Sequence, residues 1–282
     1  MEHDQQPSRV GIRWTIGDVS QAGFEALQLS IRGMWRIFGA GAEYAVCVNT
    51  IPTARAIDRT GELPASVEWL RADDLIPAWL QQRVDSEMAE GVAWKFAPVR
   101  VFPGLHEISL DNDVICWALP VALERWLRAR DEKSCLLAAD LRPALGQFAE
   151  ACNHQPLNSG IRGLPPEFPM EDKLRETLGR SGVTLKSELD EQGLQVAALQ
   201  DANLFIVDTD DVSICSPFPN HSQQFGRAGA HFIGVNPRHL PWTLQGRFAH
   251  EVIQEFWMLR KAQMAALLVS NGALNPYRPD CA

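Results

Sequence analysis

The chain has no excess of basic residues. Its 282 residues carry 26 Lys and Arg against 35 Asp and Glu, a net charge of -9. A nonspecific nucleic-acid binder needs a basic surface to neutralise phosphates, so nucleic acid is not an expected partner. A phosphorylated small molecule remains possible where a metal supplies the positive charge locally. A long apolar run is also missing. Residues 1–8 are polar and hold no apolar signal core, and the run at 264–269 follows charged residues within a helical pattern. No transmembrane segment is expected, and a cytoplasmic chain is. There is no C-x-x-C. The six cysteines (47, 116, 135, 152, 215 and 281) are scattered, several inside apolar runs where a reduced thiol packs as a small hydrophobe. This excludes a disulfide framework and fits a reducing compartment. No repeat, low-complexity tract or interdomain linker interrupts the chain. No glycine-rich basic loop follows the first strand pattern, which argues against a sugar-phosphate nucleotidyltransferase.

What is present is an alternation of strand and helix patterns over a length that suits one α/β domain, residues 1–282. Strand patterns cover 10–16, 44–48, 67–70, 106–110, 135–139, 157–163, 204–207, 212–215 and 230–235. Helical spacing covers 24–38, closed by Gly39, then 76–88, 120–130, 170–178, 188–199 and a long amphipathic stretch at about 248–270. The alternation predicts a single, mostly parallel central sheet covered by helices, with ligands at the carboxyl ends of strands. The last helix carries Val252, Ile253, Phe256, Trp257, Met264, Leu267 and Leu268 on one stripe. That stripe packs on the sheet or, in the less favoured reading, pairs with a second copy in a homodimer.

Asp111 and Asp113 follow an apolar strand. Where the chain turns at a strand end, two carboxylates one residue apart can both reach a hard cation such as Mg2+ or Mn2+, which prefers oxygen ligands. The signal is weak by itself, since a chain with 17 aspartates contains about one D-x-D by chance. A rival exists in Asp208-Thr209-Asp210, with Asp211 beside it, which reads as an acidic hairpin turn. The setting separates the two. Val114-Ile115-Cys116-Trp117 makes the first pair part of a buried stretch, where a carboxylate without a partner is costly.

Several motifs stand in family order around the first pair. Leu110-Asp111-Asn112-Asp113-Val114 resembles the L-D-x-D-hydrophobic signature of retaining GT-A glycosyltransferases, in particular the family of glycogenin and the bacterial lipopolysaccharide galactosyltransferases. Leu157-Asn158-Ser159-Gly160-Ile161 is similar to its F-N-S/A-G segment, Glu191-Gln192-Gly193-Leu194 to its D-Q-G/D-hydrophobic segment, and Ala230-His231-Phe232-Ile233-Gly234 with Pro241-Trp242 to its late H-F-x-G…P-W motif.

The resemblance implies a GT-A-type α/β fold and a metal-dependent transferase moving a hexosyl group from a nucleotide-sugar donor, a UDP-sugar, to an unidentified acceptor. It implies that Asp111, Asp113 and His231 hold Mn2+ or Mg2+. Asn158, Ser159 and Gly160 would contact the donor sugar, with Gly234 in the late motif beside them. Gln192 would lie by the anomeric carbon, and Glu191 and Asp190 would help to stabilise the transition state. Lys95 would serve the diphosphate or sugar, Asp18 would approach the nucleoside, and Arg238 would replace a cation that the family carries directly before P-W. The sequence departs from the family pattern at Glu191, where aspartate is usual, and in the longer gap between Gly234 and Pro241. Those departures motivate a second reading, a catalytically degenerate relative that binds a nucleotide or a protein partner.

Overall fold

A computed structural model describes residues 9–64, 66–85, 95–129 and 131–270. The elements run β1 (Val10–Ile16), α1 (Gln21–Phe38), β2 (Ala42–Val48), α2 (Thr53–Thr60), β3 (Glu68–Arg71) and α3 (Ala78–Gln81). There follow β4 (His106–Asp111), β5 (Val114–Cys116), α4 (Val121–Arg128), β6 (Ser134–Ala139), β7 (Leu157–Leu164), α5 (Met170–Ser181) and α6 (Glu188–Ala198). The chain continues through β8 (Asn203–Val207), β9 (Val212–Cys215), β10 (Gly229–Phe232), β11 (Thr243–Leu244), β12 (Arg247–Phe248) and α7 (Ala249–Ser270).

The central sheet has seven strands in the order β3-β2-β1-β4-β7-β6-β8. Its pairs are parallel except those made by β7, which runs antiparallel to both β4 and β6. The expected mostly parallel, helix-covered sheet is therefore present. Alternation puts successive side chains on opposite faces. In β6, Leu136 joins the cluster built on Phe24, Leu27 and Ile31 of α1, whereas Cys135 and Leu137 join the one built on Leu174 of α5 and Leu194 of α6. Both faces are thus closed by helices, and the strand ends are left as the place for a site.

The start of α1 shows how the chain enters the helix above that end. Ser20 is the N-cap, its Oγ accepting from Gly23 N at 3.1 Å, and Gly39 closes the helix at φ 59°. The expected helix over 76–88 is much shorter. It ends at Gln81, because Leu185 takes the backbone there: Asp85 N donates to Leu185 O at 2.9 Å and Leu185 N to Arg83 O at 2.8 Å. Residues 86–88 lie outside the described residues.

A second sheet of three strands, β5-β10-β9, sits beside the first. The acidic segment 208–211 is not a hairpin turn. β8 pairs with β6 in the large sheet and β9 with β10 in the small one, so the turn carries the chain from one sheet to the other. The strand expected over 230–235 stops at Phe232, and Gly234 at φ 91° turns the chain away. Along α7, Ile253, Phe256, Trp257 and Met264 pack with Ala22, Ala26 and Leu29 of α1 and with Phe232. The apolar stripe is thus covered by the fold itself, with Trp257 Nε1 donating to Glu25 Oε2 at 2.8 Å. No helix among the described residues is long and apolar enough to cross a membrane.

Candidate metal and donor site

Backbone register builds the site. β4 delivers Asp111 at its carboxyl end, opposite Thr15 of β1. The chain turns at Asn112, and β5 begins at Val114, which pairs with His231 of β10. Phe232 N donates to Asp113 O at 2.9 Å, locking the late strand onto the acidic turn. His231 Nε2 then stands 3.3 Å from Asp113 Oδ1 and 3.8 Å from Asp111 Oδ2. Asp111, Asp113 and His231 each offer a ligand atom, and these atoms lie within 4.8 Å of one another. Neighbouring ligands of one octahedral Mg2+ or similar ion stand about 3 Å apart, so the set needs only small adjustments to close on one ion. Two carboxylates with an imidazole form a donor set for a divalent ion.

The other oxygen of Asp111 is answered by the protein. Lys95 Nζ lies 2.8 Å from Asp111 Oδ1 and 3.6 Å from Glu191 Oε2. Burial alone lowers the affinity of the Lys95 ammonium for its proton, but Asp111, Glu191 and Asp113 outweigh it and hold the pKa above the ordinary value. Glu191 sits at the opposite balance. Its removal from water, opposed by Lys95 and reinforced by Asp111, pushes its pKa up to about 7. Burial also disfavours the charged His231 ring, yet Asp113, then Asp111, leave its pKa raised overall. Arg13, fully buried in β1, fixes the backbone that carries Lys95: it donates to Lys95 O at 3.2 Å and to Pro98 O at 2.6 Å.

Most of these groups border a cavity of about 380 Å3, lined by Asp18, Lys95, Asp111, Asp113 and Glu191 together with Asn49 and Thr50. Asn112, between the carboxylates, has its amide engaged elsewhere, with Nδ2 donating to Gly23 O at 3.0 Å. It exchanges hydrogen bonds with Asn236, whose Nδ2 also lies 3.2 Å from Asp113 Oδ2. Asn236 is a site residue that sequence reasoning missed, as are Arg13, Asn49 and Thr50. The sequence carried no signal for Thr50, a β-branched residue that the structure holds at φ 55° with its Oγ1 accepting from Asp18 N at 2.8 Å.

The remaining expected residues are placed less directly. Asn158 uses its amide on Ala139 O at 2.8 Å and on Gly160 N at 2.9 Å, and the Ser159 hydroxyl is buried without a partner. Gly160 lies under His231, where an added Cβ would meet the ring's Cε1 at 2.7 Å. Gln192 accepts from Ser159 N at 3.3 Å and donates to Ala144 O at 2.8 Å. Asp190 is taken up by the fold: its carboxylate accepts from Gln147 N, Gln147 Nε2 and Lys186 N, each at 2.8 Å, and it does not line the cavity. Arg238 does reach the site's edge, but its guanidinium is paired with Asp18, which also meets Arg59 at 3.3 Å. Gly234 packs its backbone against Ile253 and Phe218. In the rival acidic turn, no such cluster with a histidine forms among the described residues.

No protein-family model matches the chain, and no curated protein matches it. Solved structures do. The WbbM bifunctional glycosyltransferase aligns over 92% of this chain and 52% of its own, with a TM-score of 0.54 and 13% identity. The galactosyltransferase LgtC, solved with donor and acceptor sugar analogues, aligns over 94% of this chain and 98% of its own, with a TM-score of 0.50 and 11% identity. The fold is GT-A. At these identities the likeness is one of architecture, and the chain spans about half the length of the WbbM structure.

Proposed function

We propose that the chain is a metal-dependent glycosyltransferase that moves a hexosyl group from a UDP-sugar to an acceptor. The observation that carries this reading is the approach of Asp111 Oδ2, Asp113 Oδ1 and His231 Nε2 to one another, with both aspartates lining a cavity large enough for part of a nucleotide. A divalent ion on these ligands would act as a Lewis acid on the departing diphosphate. The chain's own contribution is electrostatic. Lys95 holds a fixed positive charge beside the ligand set, where it offsets charge that develops on the leaving group. Glu191 holds that ammonium in place and faces the same cavity.

The test is calorimetric titration of UDP into the protein with Mn2+, with Mg2+ and with a chelator. Binding that requires the ion and disappears in Asp113→Ala supports the reading; binding indifferent to the ion, or none, refutes it. Turnover of a panel of UDP-sugars then separates transferase from binder. One arrangement favours the second reading, a catalytically degenerate nucleotide binder. Gln192 is held by Ser159 N and Ala144 O, and Arg238 is spent on Asp18, so neither is free as it stands to serve the donor. Ion-dependent UDP binding with no hydrolysis or transfer would select that reading.

A further inference from the structure

A buried polar chain runs beneath the cavity. Glu191 and Gln195 stand one turn apart on α6, and Gln195 Nε2 donates to Glu191 Oε1. Gln195 Oε1 accepts from Arg162 Nη1 of β7 at 2.7 Å, and Arg162 Nη2 lies 3.9 Å from Glu107 Oε1 of β4. Glu107 is anchored in turn by Val101 N and Phe102 N at 2.7 and 2.6 Å. At the other end, Glu191 Oε2 faces Lys95, and Lys95 reaches Asp111. Glu107, Arg162, Glu191 and Gln195 are all at least 98% buried.

We propose that Gln195 and Arg162 are positioning residues, which act through Glu191 to seat Lys95 against Asp111. The argument is one of direction. A guanidinium only donates hydrogen bonds, whereas an amide presents one accepting and one donating end. Arg162 therefore fixes Gln195 with Oε1 towards β7 and Nε2 towards Glu191. That leaves Glu191 Oε1 satisfied from below and Oε2 turned to Lys95. Lys95 takes Asp111 Oδ1, so Asp111 Oδ2 is the oxygen left facing Asp113 and His231. Burying four polar groups for stability alone is poorly rewarded, because apolar side chains of similar volume generally do as well. An aligned series of donors and acceptors that ends on a ligand carboxylate has a use: outer partners of this kind orient the groups that bind an ion.

The role of Lys95 and Asp111 as donor-site residues rests on the function proposed above, so the test has an arm that needs neither ion nor nucleotide. The chain has five lysines, and an ammonium held in a fixed hydrogen bond exchanges slowly enough to give a 1H–15N signal. The Lys95 signal, assigned by its loss in Lys95→Met, is expected in the parent and absent in Gln195→Met and in Gln195→Glu, which sets two carboxylates against each other. The pair Glu191→Gln with Gln195→Glu rebuilds the series with reversed polarity: Arg162 donates to Glu at 195, Gln at 191 donates to the same carboxylate, and Lys95 donates to the Gln oxygen. This pair is expected to recover the signal. Mn2+-dependent UDP binding should fall about tenfold to a hundredfold in either single Gln195 variant and return to within about threefold of the parent in the pair.

A Lys95 signal unchanged in a folded Gln195 variant would overturn the relay, as would failure of the pair to restore it. A lowered Tm with signal and UDP affinity both unchanged would also overturn it, by showing a packing role only. If Gln195→Met does not fold, Gln195→Glu and the pair carry the same comparison. A parent that binds no UDP with either ion sinks the proposed function, while the lysine signal still decides the relay.

Discussion

Two acidic turns in this chain are spelled alike. Asp111-Asn112-Asp113 and Asp208-Thr209-Asp210 each follow an apolar strand of the central sheet, and each leads into a strand of the small one. Their surroundings answer the charge in opposite ways. At the second turn, Asp211 is buried and satisfied from within: its carboxylate accepts from Arg227 Nε at 2.9 Å and from Val121 N, at the start of α4, at 3.1 Å. Asp208 caps the same turn through Asp211 N at 2.7 Å, and Asp210 points to solvent. At the first turn, one oxygen of Asp111 has Lys95, while its other oxygen and Asp113 face His231. One turn is closed by backbone and arginine, and the other leaves accepting atoms aimed at a common point. Spacing alone cannot distinguish them; what decides is which third group the fold brings opposite.

The largest expected effect breaks the comparison outright. Asp113→Ala should lower Mn2+-dependent UDP affinity by more than about a hundredfold, because a three-ligand site loses one anionic ligand. Asp210→Ala should leave it unchanged in the same titration. Equal losses would mean that net charge, not the ligand set, governs binding.

A second effect belongs to the first turn alone and is read as stability against pH in the ion-free protein. The folded pKa of Glu191 is raised to about 7 from an ordinary 4.5, chiefly by burial. The sign follows from proton uptake. The folded state holds this proton more tightly than the unfolded one, so the contribution is full below about pH 4.5 and is lost as pH rises through 7. The loss is about 3 kcal/mol. Glu191→Gln cannot titrate, so its stability relative to the parent should improve between pH 4.5 and 8 when both are unfolded in urea. Parallel pH profiles for the two proteins would contradict the raised pKa.

Legibility in the sequence follows the range of the interaction. β1 and β9 lie at their expected bounds, and Gly39 ends α1 as expected, because alternation, helical spacing and a glycine stop are local properties. The residues that meet at the cavity, Lys95, Asp111, Asp113 and Glu191, were legible only through a motif order that stands in for long-range register. What was not legible is of two kinds. The division into two sheets depends on partner choice, since β8 and β9 look like any two strands across a short turn. Arg13 and Arg162 sit within strands β1 and β7, where a charged residue ordinarily marks an exposed edge. Here both are buried and bonded to carbonyls and side chains far away in sequence. Asp190 errs in the other direction: a carboxylate at a helix start beside a motif looks available, but neighbouring backbone has already claimed it.

The second turn has its own test. Asp211→Ala removes the acceptor of the Val121 N–H and of Arg227. Arg227 is 67% exposed on its side chain and is readily solvated, so most of the cost comes from the buried side of the pair. A loss of about 2 kcal/mol in urea unfolding is expected, with Mn2+-dependent UDP affinity within about twofold of the parent. A large change in affinity would show that the two turns are coupled through the small sheet that joins them.

The smallest expected effect probes the same distinction by adding an atom. Gly160 faces His231, and a methyl placed there would stand 2.7 Å from the ring's Cε1 and 3.0 Å from Nδ1. The first distance is too short for unbonded atoms and the second is tight; β7 is held between β4 and β6, and the Asn158 amide, whose Oδ1 would stand 3.0 Å away, is tied to Ala139 O and Gly160 N, so the ring is the part that can yield. Gly160→Ala should push Nε2 out of line with Asp111 and Asp113 and weaken Mn2+-dependent UDP binding about tenfold. Gly226 makes the matched control, because it packs against Asp211 O at the second turn, where an added Cβ would stand 2.5 Å away. Gly226→Ala should therefore lower Tm without a comparable loss of affinity. If both substitutions cost stability and neither alters ion-dependent binding, His231 is a packed core histidine and the ligand set contracts to the two aspartates.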